Sequence, residues 1–261
     1  MAKVIAIANN KGGTGKTTTC ASLGVGLANR GKKVLLIDAD AQGSLTASMG
    51  IQRPDNLEIT LATIMGGIIT DDVYEGDYGI IHNDEGVDLM PANIELSGIE
   101  LSLVNLIGRE TIMNEFIKMV SPVYDFILID CSPSLGMITL NAFSCADSIL
   151  IPVQAAYLPV KGLEQLLKVI GKIKRQINPK VEIEGILITM FDSRTNYAKD
   201  IYDLVKKIYG ESIKIYENVI PLSVRAAETS SQGISIFAHD AKGKVAAAYS
   251  VLAEEIDSYG K

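Results

Sequence analysis

Residues 10 to 18 read Asn10-Lys11-Gly12-Gly13-Thr14-Gly15-Lys16-Thr17-Thr18. They follow the apolar run Val4-Ile5-Ala6-Ile7-Ala8 and open a stretch of helical period over 16–29. A strand, a glycine loop and a helix in that order form the context of a phosphate-binding loop. Glycines at 12, 13 and 15 let successive N–H groups turn inward, and the helix N-terminus adds its positive dipole end. The spacing therefore predicts a cradle for a triphosphate. Lys16 should reach its β and γ phosphates, with the Thr17 hydroxyl on a Mg²⁺ ion that bridges protein and nucleotide oxygens.

The rest of the chain supplies a fold to hold such a loop. Short apolar runs at 4–8, 34–37, 87–90, 126–129, 148–152 and 183–189, and more weakly at 213–219, alternate with helical patterns. Those patterns cover 16–29, 95–106, 110–120, 135–145, 160–176, 197–209 and 242–258. Strands that are apolar throughout are covered on both faces. The alternation predicts an α/β fold: a mostly parallel, doubly wound sheet flanked by helices, with ligands beyond the carboxyl ends of its strands. With 261 residues, 48% of them hydrophobic, and no linker-like stretch, one domain spanning 1–261 is the economical reading. The stretch 71–88, rich in acids and glycine, reads as a loop or a short irregular strand pair.

Two later strands end in acids. The run 34–37 leads into Asp38-Ala39-Asp40-Ala41-Gln42, and the run 126–129 into Asp130-Cys131-Ser132-Pro133. Both carboxylates of the first segment are expected to hold magnesium-bound water and orient the attacking water, and Asp130 to join the magnesium shell with Thr17 and Asp40. Thr139 and Asn141 are expected in the region that senses the γ-phosphate. Cys20, Cys131 and Cys145 have neither even number nor ligand spacing, so they read as reduced thiols of a reducing compartment. No apolar run approaches the ~18 residues of a membrane span, and a cytosolic chain is expected.

The net charge of −7 argues against a generic nucleic-acid binder. Its distribution is uneven, however: residues 161–261 carry 15 Lys and Arg against 13 Asp and Glu, so a local basic patch is compatible with the acidic total.

The loop departs from the general G-x-x-x-x-G-K-[ST] pattern, with Asn10 in place of the first glycine and an additional lysine, Lys11. In this deviant form, K-G-G-x-G-K-T, the chain resembles the ParA/Soj/MinD family of P-loop ATPases. The resemblance extends over nearly the whole sequence. It includes 38–42 as a D-x-D-P-Q switch I with Ala41 in place of proline, and 130–133 as a D-x-x-P switch II. It also includes Val87-Asp88-Leu89-Met90-Pro91-Ala92-Asn93, a T-M-x-D-x-R-T element at 189–195, and an I-P-R-x-V-R-x-x-E segment at 220–228 with Leu222 in place of arginine. It implies an ATP- and Mg²⁺-dependent ATPase with Lys11, Lys16 and Asp40 as catalytic residues and Lys11 crossing to the nucleotide of a second copy in a homodimer. The phosphates would lie on Lys11, Gly12, Gly13, Thr14, Gly15, Lys16, Thr17 and Thr18, and the adenine near Met190, Pro221, Ser223 and Val224. Arg194, Arg225, Lys242 and Lys244 would meet non-specific double-stranded DNA, with Lys199, Lys206 and Lys207 widening the patch. The family's role is DNA partitioning with a ParB-like partner, in the cytoplasm and on the nucleoid in the ATP state.

The acidic carboxyl end counts against the MinD branch and its lipid-binding helix, so no membrane contact is expected. The thiol pattern counts against an iron-sulfur reductase of the same fold, and no residues nominate the acid pocket of an ATP-dependent amidoligase.

Overall fold

In a computed structural model that describes residues 1–72, 74, 76–155 and 159–258, the strands form one sheet of seven in the order β3-β4-β2-β5-β1-β6-β7. The strands are β1 (Lys3–Ile7), β2 (Val34–Ala39), β3 (Ile81–His82), β4 (Asp88–Met90), β5 (Phe126–Cys131), β6 (Ser148–Gln154) and β7 (Glu182–Thr189). All neighbours are parallel except the two-residue β3, which pairs antiparallel with β4. The helices are α1 (Lys16–Ala28), α2 (Ser44–Ser48), α3 (Leu61–Ile69), α4 (Leu96–Leu103), α5 (Ile112–Val120), α6 (Met137–Cys145), α7 (Pro159–Gln176), α8 (Asn196–Tyr209), α9 (Val224–Gln232), α10 (Ile236–His239) and α11 (Lys244–Ser258).

The apolar strands have the physical cause expected of them. Alternate residues feed two separate cores: Val4, Ala6, Leu35, Ile37, Ile127, Ile129, Ile149 and Ile151 pack with α3, α5, α6, α7 and α8. Ile5, Ile7, Val34, Leu36, Phe126, Leu128 and Leu150 pack on the opposite face with α1 and α11. Burial at ~25 cal/mol per Å² on both faces outweighs the lack of polar alternation and drives the parallel arrangement.

Three expectations are adjusted. The run 213–219 is not a regular strand. Ile186 N–H donates to Lys214 O and Tyr216 N–H to Ile186 O, but the next bond joins Ile220 N–H to Ile188 O. The chain spends two extra residues there, while the Asn218 amide is held by Ala248 O at 2.6 Å. Helix α3 was not expected, since Leu61–Ile69 is apolar on all sides and contains two glycines; Thr60 and Thr63 close a capping box at its start. Helix α9 forms over Val224–Gln232, where no helical pattern is expected. In the acidic stretch 71–88, Glu75 lies outside the described residues, as do 259–261 at the acidic end; of the two alternatives for that stretch, loop or short strand pair, its end takes the second, with β3 pairing antiparallel to β4 at 88–90.

The three cysteines are free. Burial pushes all three thiols up, Cys145 to about 12, which leaves them unreactive. Among the described residues no helix is long and apolar enough to cross a membrane.

Candidate functional site

Strands β1, β2, β5 and β7 all present their carboxyl ends at one rim. The register sets Ile7 beside Asp130 and Asp38 beside Asp130, so the glycine loop and both acidic segments are neighbours through sheet pairing alone. This is the crevice that a sheet with central β1 and crossovers to either side creates.

The loop runs from β1 to α1 with Gly13 at φ 70° and Gly15 at φ 82°, left-handed conformations that a side chain disfavours. A Cβ placed on Gly12 or Gly13 would meet nothing within 4 Å, so their backbone faces open space. The loop is anchored from three sides. The buried Asn9 amide donates to Pro152 O at 2.7 Å while its Oδ1 accepts from Lys11 N–H at 3.0 Å. Thr189 Oγ1, at the end of β7, donates to Thr14 O at 2.8 Å. Inside the loop, Lys16 Nζ donates to Lys11 O at 3.2 Å. Lys16 is 7% exposed, and this burial lowers its pKa against the opposing charges of Asp130, Cys131 and Asp40. Lys11 is exposed.

Thr17 Oγ1 donates to Asp130 Oδ2 at 2.7 Å. The other oxygen, Asp130 Oδ1, is buried without a hydrogen-bond partner. Burial first, then the charge of Asp38, raises the Asp130 pKa to about 8 against the bonds from Thr17 and the charge of Lys16. A buried carboxylate with a vacant lone pair beside a hydroxyl fits a hard divalent cation. No group of three His, Cys, Asp or Glu side chains capable of holding a metal occurs among the described residues, so such an ion would complete its shell with phosphate and water oxygens. The residues present therefore fit a magnesium nucleotide.

The two aspartates of the first acidic segment separate in role. Asp38 does not face the crevice: it is fully buried, its Oδ2 accepts from Thr46 N–H at 2.8 Å and Thr46 Oγ1 at 2.7 Å, and its Oδ1 accepts from Asp40 N–H at 3.2 Å. Burial raises its pKa to about 7 despite these donors. Asp40 lines an open cavity of about 240 Å³ with Gln42, Glu100, Ser132, Pro133 and Ser134, where the two acidic segments meet. Thr139 and Asn141 are committed elsewhere: Thr139 Oγ1 donates to Ser134 O at 2.7 Å, and the Asn141 amide bridges Arg109 O and Met137 O and accepts from Met113 N–H. They shape the loop 132–136 and the contact of α5 with α6 and do not reach the crevice.

A second cavity, about 120 Å³, abuts the glycine loop. Its lining includes Gly15, Thr18, Met190, Pro221, Ser223 and Tyr249. It is mostly apolar, as a base pocket should be. Met190 is held at φ 51°, rare for a side-chain-bearing residue. Val224 is not in this lining; it begins α9 and is 76% exposed. Tyr249 was not visible from sequence. It is 1% exposed, and its hydroxyl shares a 3.1 Å hydrogen bond with Thr19, which ties α11 to α1 under the pocket.

The basic residues gather partly. Main-chain bonds from Phe191 N–H to Ile220 O and from Leu222 N–H to Phe191 O bring the start of the loop that carries Arg194 beside the segment that leads into α9 and Arg225. Arg225 Nε lies 4.0 Å from Asp240, which just precedes Lys242 and Lys244. Arg194 is already engaged, with Nε on Asp192 Oδ1 at 2.8 Å and a second nitrogen on Oδ2 at 2.8 Å. That fork holds the Asp192 carboxyl down at about 2. Lys199, Lys206 and Lys207 lie along α8, and Lys206 sits 5.9 Å from the Tyr202 ring centre.

Comparison with known proteins agrees with this geometry. The AAA domain model AAA_31 matches residues 2–183. The sporulation initiation inhibitor protein Soj of Bacillus subtilis is 41% identical over 260 residues, covering 100% of both chains. The chromosome partitioning protein ParA of Myxococcus xanthus is 38% identical over 97% of this chain and 87% of its own length. A crystal structure described as cobyrinic acid a,c-diamide synthase from Mycobacterium smegmatis, with bound ADP and magnesium, superposes with a TM-score of 0.86 at 34% identity, covering 99% of this chain and 95% of that one. The chain therefore belongs to the AAA_31 family and, among P-loop proteins, to the ParA/MinD superfamily.

Proposed function

We propose that the chain is a ParA-type ATPase of DNA partitioning, working as one domain. One observation carries the reading: Lys16, Thr17 and Asp130 converge under a glycine loop whose extra lysine, Lys11, is exposed, in a chain similar from end to end to Soj and ParA. When bound, ATP supplies the β–γ phosphoanhydride bond and Mg²⁺ neutralises charge on its oxygens.

The protein's own residues do the rest. The inward N–H groups of residues 12–18 and the Lys16 ammonium bind the phosphates, Thr17 and Asp130 hold the cation, and Asp40 orients water from the cavity it lines. Met190, Pro221 and Ser223 enclose adenine. Lys11 of each subunit crosses to the other's phosphates, so ATP favours a homodimer by contacts that the monomer lacks. Dimerisation aligns two sets of Arg194, Arg225, Lys242 and Lys244 against duplex DNA, which gives an acidic chain an ATP-dependent affinity for phosphate. Hydrolysis, accelerated by a ParB-like partner, releases the DNA. The chain thus shuttles between cytoplasm and nucleoid.

The test is binding to random-sequence duplex DNA across a salt series, with ATP, ADP or no nucleotide. Wild type should bind only with ATP and lose affinity as salt rises. Lys11→Ala and Lys16→Ala should not bind, and Asp40→Ala should stay bound. Dimers without DNA binding would remove the partition reading and leave the nucleotide site standing.

The likeness to the cobyrinic acid a,c-diamide synthase of Mycobacterium smegmatis favours a second reading, an ATP-dependent amidoligase. It requires ATP turnover that depends on a carboxylic-acid substrate and an amide nitrogen donor, and not on DNA.

A further inference from the structure

The segment from Asp38 to Thr46 closes on itself. Gly43 N–H donates to Asp40 O at 2.9 Å and Gln42 N–H to Asp40 Oδ1 at 3.1 Å, so Asp40 heads a tight turn. The N–H of Asp40 hangs from Asp38 Oδ1, and Asp38 Oδ2 takes both the N–H and the hydroxyl of Thr46. With its one proton spent on Asp38, Thr46 Oγ1 accepts from Ala92 N–H at 3.0 Å, just beyond the end of β4. Asp38, Thr46 and Ala92 are all 0% exposed. The same Ala92 peptide closes over the turn from its other side, because a Cβ on Gly43 would lie 3.0 Å from Ala92 O and 2.9 Å from Pro54.

We propose that Thr46 is a positioning residue for hydrolysis. It makes Asp38 a fixed post from which the backbone of Asp40 is suspended, and it ties that post to β4. The inference rests on the reading of Asp40 as the residue that orients water. Thr46 reaches no crevice itself, so its effect on turnover passes through Asp38 and Asp40. A misplacement of ~1 Å at such a group is worth about 100-fold in rate. Replacing the hydroxyl by a methyl in Thr46→Val keeps the shape, removes one donor from Asp38 and leaves Ala92 N–H without its acceptor.

Turnover, affinity for a fluorescent ATP analogue and melting temperature would be measured for wild type, Thr46→Val, Thr46→Ser, Asp40→Ala and the double variant Thr46→Val/Asp40→Ala. Amide hydrogen exchange over 39–43 would be followed without nucleotide. Thr46→Val should lower kcat by about 10- to 100-fold with affinity held within about twofold, and Thr46→Ser should restore most of the rate. In the Asp40→Ala background Thr46→Val should cost nothing further, because both act through one group. Exchange at 39–43 should quicken in Thr46→Val and not in Thr46→Ser.

An equal loss of rate in the Asp40→Ala background would overturn the proposal. So would a serine variant as slow as valine, or unchanged exchange. If wild type hydrolyses no ATP, the ATPase reading falls by itself, and the exchange experiment still decides whether Thr46 holds the turn.

Discussion

Asp38 and Asp130 stand side by side on β2 and β5, both essentially excluded from water, with pKa values raised to about 7 and about 8 from an ordinary 3.8. A carboxyl whose pKa is higher in the folded chain binds more protons there than in the unfolded one. Its contribution to stability is therefore most favourable below about pH 4 and is lost as pH rises toward the folded pKa. Between pH 5 and 7 the folded pair keeps at least one proton that the unfolded chain has released, which gives a loss of roughly 3 kcal/mol over the interval. For a chain of this size that is a fall of roughly 5–10 °C in melting temperature. Urea and thermal denaturation of the protein free of nucleotide and magnesium, at pH 5, 6 and 7, would measure it. His82, whose bond to Asp88 raises its pKa, acts in the same direction, so Asp130→Asn is the necessary comparison. That variant should flatten the slope by about one proton and melt higher than wild type at pH 7. Saturating magnesium nucleotide should also flatten it, because a cation favours the charged carboxylate. Stability that is level or rises from pH 5 to 7, or an unchanged slope in Asp130→Asn, would refute the argument.

Two other substitutions separate packing from function. Tyr249→Phe keeps the ring beneath the base pocket and deletes the bond to Thr19, so urea denaturation should show a loss of about 1 kcal/mol while nucleotide affinity is retained. Gly24→Ala should destabilise although alanine favours helix by ~1 kcal/mol, because the new Cβ would lie 2.5 Å from Leu36 Cδ2 in a closed core. Combining it with Leu36→Val should recover part of the loss, read from the same denaturation midpoints.

The glycine loop was legible because its chemistry is contiguous: nine consecutive residues hold the curl, the lysine and the hydroxyl, and the flanking periods state strand and helix. The acids at the ends of β2 and β5 were legible for a related reason, since an apolar run followed by a carboxylate marks where a buried strand meets the ligand rim. Residue type and spacing could not apportion the roles of Asp38 and Asp40, and only the family resemblance singled out Asp40. They are two residues apart, but Thr46, itself held by Ala92 N–H, consumes the first, while the second is left at the cavity.

What sequence alone determined is thus the set of local devices: the loop, the apolar strands with two cores to feed, and the acids that close them. Only the tertiary structure decided the contacts that cross elements. Thr189 holds the loop at Thr14 across 175 residues of chain, Tyr249 meets Thr19 across 230, and the 213–219 run gives up its ladder when Asn218 is drawn to α11. The physical reason is that a hydrogen bond between distant segments leaves no periodic trace in either one. Its geometry exists only after burial on both faces of the sheet has brought the strand ends together.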